Sequence, residues 1–217
     1  MNDGRLPVLS AGPAPDLSPS SAVLRLAGFT VGSRVNGPGR RIVLWVRGCD
    51  LACPGCFNPH TWSADGPAEP ITAVARRILD ARAGHDGVTF SGGEPFQQAP
   101  ALAALAERLA TDWPEARLMA FSGYRLETLR GPDGPPGSRE LLRRLDWLVD
   151  GRYDPRKPSR RRWRASVGQR LWVVGRPLPR SAFSEATTEA ELHVSPDGGV
   201  LLSGFPDARL RRAVRRL

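Results

Sequence analysis

Apolar positions along this chain recur with two periods that alternate. Arg41 to Val46, RIVLWV, is an unbroken β-branched and aromatic run that predicts a buried strand. It follows AVLRLAGFTVGSRVNGPG, to which no element is assigned. From Ile71, ITAVARRILDARAG puts Ile71, Val74, Ile78 and Leu79 on one helical face, with Gly84 as its stop. VTF, Val88 to Phe90, predicts the next strand and runs into SGGEP. PALAALAERLATDW then spaces Leu102, Leu105 and Leu109 as a helix and leads to a strand at LMAF, Leu118 to Phe121, followed by SGY. After GPDGPPG, Ser138 is placed to cap a short helix carrying Leu141, Leu142 and Leu145. WLV, Trp147 to Val149, is the last strand of the series and ends at Asp150.

Strands alternating with helices of this length predict a parallel sheet. In such sheets ligands bind at the loops that follow the carboxyl ends of the strands. The loop after Val46, SGGEP, SGY and the DGR that begins at Asp150 each occupy such a place, so all four are expected on one rim.

Beyond residue 155 the alternation fades. RKPSRRRWR, Arg156 to Arg164, reads as a solvated basic loop, with an acidic partner or a ligand carboxylate as the sharper alternative. ELHVSPDGGVLLSGF predicts a hairpin turned by Pro-Asp-Gly-Gly, and His193 in its first strand is read as structural. DARLRRAVRRL predicts a helix with Asp207 as cap and Leu210, Val214 and Leu217 on one stripe. The expected organisation is a flexible tail over residues 1–21, rich in Pro, Ser, Gly and Ala, a core domain over 22–171, and an extension over 172–217 packed on it.

Composition changes this picture little. With 41% hydrophobic and 24% charged residues among 217, the balance is that of a folded single core. Neither a basic region followed by an apolar run nor a stretch of about 20 apolar residues occurs, so a cytoplasmic protein without membrane attachment is expected. The net charge is +9, and Lys157 is the single lysine among 31 basic residues. Such a surface attracts acidic partners, but without interleaved aromatics or a reading motif nucleic acid is not expected.

The candidate chemistry lies in RGCDLACPGCFNPHTW, Arg47 to Trp62, which holds every cysteine of the chain: Cys49, Cys53 and Cys56. Grouped thiols in a reducing compartment hold metal or do redox work. Two readings fit CxxxCxxC. His60 can complete a closed four-ligand zinc knot; alternatively the three thiolates hold a [4Fe-4S] cluster with one iron left open. Gly92-Gly93-Glu94 favours the second, because paired glycines admit a ligand close to the backbone and a carboxylate beside them takes an ammonium group. A structural zinc knot, or a nucleic-acid-binding module using the arginine surface, gives that loop no role.

CxxxCxxC followed about forty residues later by GGEP resembles the radical S-adenosylmethionine (SAM) superfamily. More narrowly, VNGPGRRIVLWVRGCDLACPGCFNPHTW, SGGEP, FSGY, LVDGR and WRASVGQ resemble the activators of anaerobic ribonucleoside-triphosphate reductase, relatives of the pyruvate formate-lyase activating enzyme. The likeness runs from about Ala22 to Leu171. It departs at Gly55, where the wider superfamily often has a bulky aromatic, at Phe57, where the branch commonly has Tyr, and at Ser166-Val167-Gly168-Gln169 in place of a Ser-Asn-Gln run.

The resemblance implies an α/β fold, a partial (β/α) TIM-like barrel with a parallel sheet, here extended by the C-terminal hairpin and helix. It implies an oxidoreductase in which Cys49, Cys53 and Cys56 ligate a [4Fe-4S] cluster whose open iron takes the amino and carboxylate groups of SAM. Gly55, Cys56 and Phe57 would line the SAM site, Gly92, Gly93 and Glu94 would meet its methionine end, and Ser122 and Asp150 would approach it. The implied activity is reductive cleavage of SAM to a 5′-deoxyadenosyl radical, with no side chain acting as acid or base. Its target would be a glycine Cα in a large glycyl-radical enzyme, with a flavodoxin or ferredoxin-type protein as electron donor. A radical SAM enzyme acting on a small molecule or peptide is the alternative.

Overall fold

The computed structural model describes residues 22–180, 190–194 and 198–214. The expected tail over 1–21, Pro196 and Asp197 of the hairpin turn, and Leu217 lie outside them. The centre is a seven-stranded sheet. Four strands run parallel in its middle: β2 (Arg41–Val46), β4 (Gly87–Gly92), β5 (Arg117–Ser122) and β6 (Trp147–Asp150). Every residue of β2 and of β6 is buried, which is why both read as unbroken apolar runs.

Antiparallel strands flank this centre. β1 (Val23–Ser33) pairs with β2, β3 (Ala68–Pro70) pairs with β1, and β7 (Arg170–Val173) pairs with β6, giving the order β3-β1-β2-β4-β5-β6-β7. The architecture is therefore mixed α/β with a parallel-rich centre. The expectation was a partial (β/α) barrel; among the described residues the sheet is open, with β3 and β7 as two edges that do not pair with one another, and no closed barrel is seen.

Helices cover one face. α1 (Ile71–Ala81) buries Ile71, Val74 and Ile78, and α2 (Ala99–Asp112) buries Leu102, Leu105 and Leu109. With the short α3 (Leu126–Arg130) and α4 (Ser138–Leu142) they pack on Leu44, Phe90, Leu118 and Leu148. The spacing of three and four residues in α1 and α2 is what turns these side chains to the sheet. On the other face the alternate residues Met119, Trp147 and Val149 pack with Trp163, Phe121 and Phe205. That face is covered, among the described residues, by the loop through Trp163 and the C-terminal segment with Phe205.

The end of the sheet away from the cysteines is tied by Arg41, which is fully buried. Its Nε donates to Thr89 Oγ1 at 3.1 Å and its Nη2 to the carbonyls of Val88 and Arg117 at 2.6 and 2.7 Å. One guanidinium thus fastens β2, β4 and β5 together. The hairpin forms as expected from β8 (Ala190–Val194) and β9 (Val200–Gly204), and α5 (Ala208–Val214) follows, with Asp207 Oδ1 accepting from the Leu210 N–H at 2.7 Å.

Candidate functional site

The four loops expected to converge do so. The cysteine loop after β2, Gly92-Gly93-Glu94 at the end of β4, Ser122-Gly123 after β5 and Gly151 with Tyr153 after β6 line one cavity of about 390 Å³. That volume lies in the range of small-molecule sites. Cys49, Cys53 and Cys56 all reach it and are all unpaired thiols.

The cysteine loop is shaped by its backbone. The N–H of Gly48 donates to Thr61 O at 2.9 Å and that of Cys49 to Trp62 O at 2.9 Å, so the loop's start is zipped to its end. A turn closes Cys53 O on the Cys56 N–H at 3.1 Å. Ala52 takes a left-handed φ of 42°, unusual for a residue with a Cβ, and Gly55 one of 70°. Burial pushes the Cys49 thiol up, opposed by the N–H groups of Leu51 and Ala52 and assisted by the charges of Glu94 and Cys53.

Gly55 lies against the loop after β6: a Cβ there would make ordinary van der Waals contact with Pro155 at 3.4 Å and Tyr153 at 3.7 Å, so its left-handed φ is what favours glycine. Tyr153 in turn packs on Phe57 with ring centroids 4.8 Å apart. The sequence alone gave no reason to single out Tyr153; its place directly after DGR was the available signal.

The glycine pair serves the protein before it serves any ligand. A Cβ on Gly92, whose φ is 102°, would stand 2.5 Å from the Val46 nitrogen, and one on Gly93 would overlap the Gly48 carbonyl. The backbone answers in kind, with Gly93 N–H donating to Val46 O and Glu94 N–H to Gly48 O, both at 2.8 Å. Gly92-Gly93 thereby clamps the residue that precedes Cys49.

Glu94 is 1% exposed. Its Oε1 accepts from Phe96 N–H at 3.0 Å and Ser122 Oγ at 2.9 Å, and its Oε2 from Gly123 N–H at 2.7 Å. The carboxylate expected to face an ammonium thus faces protein donors, and Ser122 is one of them. Burial raises the Glu94 carboxyl to about 7 against the lowering effect of those three hydrogen bonds. Gly123 also leaves room for Leu51, whose side chain a Cβ there would overlap.

Asp150, expected to approach the ligand, is fully buried at the end of β6. Its Oδ2 accepts from the Leu126 N–H at 2.7 Å and from Arg170 Nη2 at 2.5 Å, and its Oδ1 from Arg170 Nε at 2.9 Å. It starts α3 and pins β7, and its neighbour Gly151 reaches the cavity. The Ser166–Gln169 turn is likewise occupied with itself: Gln169 Oε1 accepts from the Ala165 and Ser166 N–H groups, while its Nε2 donates to Gly151 O.

The residues present can be tested against each metal reading. A single zinc ion draws thiolates to within roughly 4 Å of one another, whereas each iron of a cubane cluster takes its own thiolate, so the three sulfurs stand apart. Among the described residues no three of His, Cys, Asp and Glu converge on one ion position. His60 is exposed at the cavity rim. Three thiols around one cavity fit a cluster that takes three protein ligands.

Comparison with known proteins gives an iron-sulfur domain. Residues 35–172 match the family model described as a 4Fe-4S single cluster domain. The anaerobic ribonucleoside-triphosphate reductase-activating protein of Enterobacteria phage T4 is 32% identical over 142 residues, 64% of this chain and 86% of that protein. Proteins of the same name from Salmonella typhi and Escherichia coli K12 are each 33% identical over 144 residues, 62% of this chain and 89% of theirs. Among solved structures, QueE from Escherichia coli is similar at a TM-score of 0.41 and 14% identity, covering 61% of this chain and 72% of that one. The fold and site are those of an iron-sulfur activating oxidoreductase. The chain belongs to the family of anaerobic ribonucleoside-triphosphate reductase-activating proteins. Among the described residues no helix is long and apolar enough to cross a membrane.

Proposed function

We propose that this chain binds a [4Fe-4S] cluster through Cys49, Cys53 and Cys56, binds SAM at the open iron, and installs a glycyl radical on an anaerobic ribonucleotide reductase. The observation that carries the reading is the shared cavity: all three thiols and the Gly92-Gly93-Glu94 loop line it together. What the bound cluster and SAM supply is one-electron cleavage of the sulfonium to methionine and a 5′-deoxyadenosyl radical that takes hydrogen from a glycine Cα.

The chain's own part is positional. Gly92 and Gly93 hold Gly48 in place and so fix where Cys49 starts. Glu94 joins the loop after β4 to the loop after β5 through Ser122 and Gly123, which keeps the ligand-facing backbone rigid. The Phe57 and Tyr153 rings wall the cavity beside Cys56 and limit water there. No side chain on this rim is required to move a proton.

Anaerobic reconstitution tests the reading. Wild type and His60→Ala are expected to retain about four irons and four sulfides per chain. Cys49→Ala, Cys53→Ala and Cys56→Ala are expected to lose them, and only the cluster-loaded forms should yield 5′-deoxyadenosine from SAM under reduction. One zinc and no sulfide, or loss on removal of His60, would overturn it.

A further inference from the structure

Strand β9 lines the cysteine cavity with five consecutive residues, Val200 to Gly204, while its partner β8 contributes none. Successive side chains of a strand point to opposite faces, so a strand showing a face would line a cavity with every second residue. An uninterrupted run means that β9 meets the cavity with its edge. Among the described residues β9 pairs with β8 alone. The backbone N–H and C=O groups on its other side therefore have no strand partner, and such an edge is a template for another strand.

This edge is held in place. Asn36 Nδ2 donates to Ser203 Oγ at 2.7 Å in a buried position, the Arg34 N–H donates to Glu191 Oε1 at 2.6 Å, and the Phe205 ring lies 6.1 Å from that of Phe121. A two-stranded hairpin is marginal by itself, and a third strand is the ordinary way to stabilise it.

We propose that the free edge of β9 is the docking strand for an extended segment of the protein substrate, which adds to the hairpin and crosses the cavity mouth with its backbone toward the cysteine loop. This rests on the reading that the chain acts on a protein. Main-chain pairing suits that substrate, because a target glycine has no side chain by which to be gripped and strand addition recognises backbone. Charge indicates what flanks it. The loop that supplies Tyr153, Ala165 and Gln169 to the same cavity exposes Arg156, Lys157, Arg160 and Arg161, so the segment is expected to carry acidic residues beside its paired stretch.

Amide hydrogen exchange of the full chain, with and without the anaerobic ribonucleotide reductase of the same organism, tests the docking directly. Residues 200–204 should slow by roughly ten-fold or more, as one to two hydrogen bonds gained by edge amides require. Leu201→Pro and Leu202→Pro then remove N–H groups on opposite edges of the strand. One of the two should weaken reductase binding by roughly ten-fold with the circular dichroism unchanged, and Leu201→Ala and Leu202→Ala should bind within about two-fold of wild type. Alanines as damaging as prolines would overturn edge recognition. So would radical transfer to the reductase with no protection in β9. Protection in β9 without SAM cleavage would leave the docking standing and overturn the activase reading; absence of both binding and cleavage would overturn both.

Discussion

Glu94 sits between two demands, since burial favours its neutral form while three donors favour its charge. Its folded value of about 7 stands above the ordinary 4.5. The folded chain thus holds the proton more tightly than the unfolded chain, so the carboxyl's contribution is full below pH 4.5 and is lost as pH rises through 7. Without cluster, wild type should lose stability relative to Glu94→Gln between about pH 4.5 and 7, by at most about 1.4 kcal/mol per pH unit, and level off above that. Chemical denaturation at each pH measures this, and parallel curves would rule it out. The three cysteines and Glu94 were legible from spacing alone because CxxxCxxC and GGE are local patterns. What Glu94 touches was not, because Ser122 and Gly123 lie 28 and 29 residues further along the chain.

Between elements, close approach of backbones does most of the positioning. Gly93→Ala would push on the Gly48 carbonyl, which has nowhere to yield while Glu94 N–H holds it. A destabilisation of about 1–3 kcal/mol is expected, as for other overpacked sites, together with faster loss of cluster absorbance on dilution, whereas Gly168→Ala, which meets open space, should do neither. Asp150 acts at the same scale. Asp150→Asn leaves Arg170 beside a neutral amide, and because Arg170 is 37% exposed the expected cost is about 1–3 kcal/mol, below that of a fully buried pair. Glu127→Gln, on the exposed side of the same arginine, should cost clearly less; equal losses in urea melts would show that Asp150 is not the anchor. The strands β2, β4, β5 and β6 were readable because burial on both faces writes unbroken apolar runs. β1 was not, since its register shifts near Gly28 and Gly32 spoil any alternation. What Asp150 touches was not legible either, because Leu126 lies 24 residues before it and Arg170 20 residues after it.

For the whole molecule the difference from a barrel decides what can reach the cysteines. An open sheet leaves one face to be covered by segments later in the chain than β6, and here these are a basic loop and an apolar hairpin. The hairpin lies beyond residues 35–172 that match the iron-sulfur domain, while the basic loop lies within them. With a net charge of +9 on 217 residues, and basic side chains on a loop that walls the cavity, the proposed acidic segment would be steered by field as well as by shape. Screening shortens that field from about 10 Å at 0.1 M salt to about 3 Å at 1 M. Glycyl-radical formation on the reductase should therefore slow several-fold between about 0.05 and 0.5 M salt, while 5′-deoxyadenosine formation in the absence of reductase changes little, because cofactor held inside the cavity is not recruited by the distant field. Replacing Arg156, Lys157, Arg160 and Arg161 together by Gln should flatten the salt dependence of the first reaction and leave the second in place. Radical yields read by electron paramagnetic resonance at each salt concentration decide it: an unchanged slope in the quadruple variant would assign the steering to charge elsewhere on the surface, and no slope in wild type would mean that the arginine excess has no part in bringing the substrate to the cysteines.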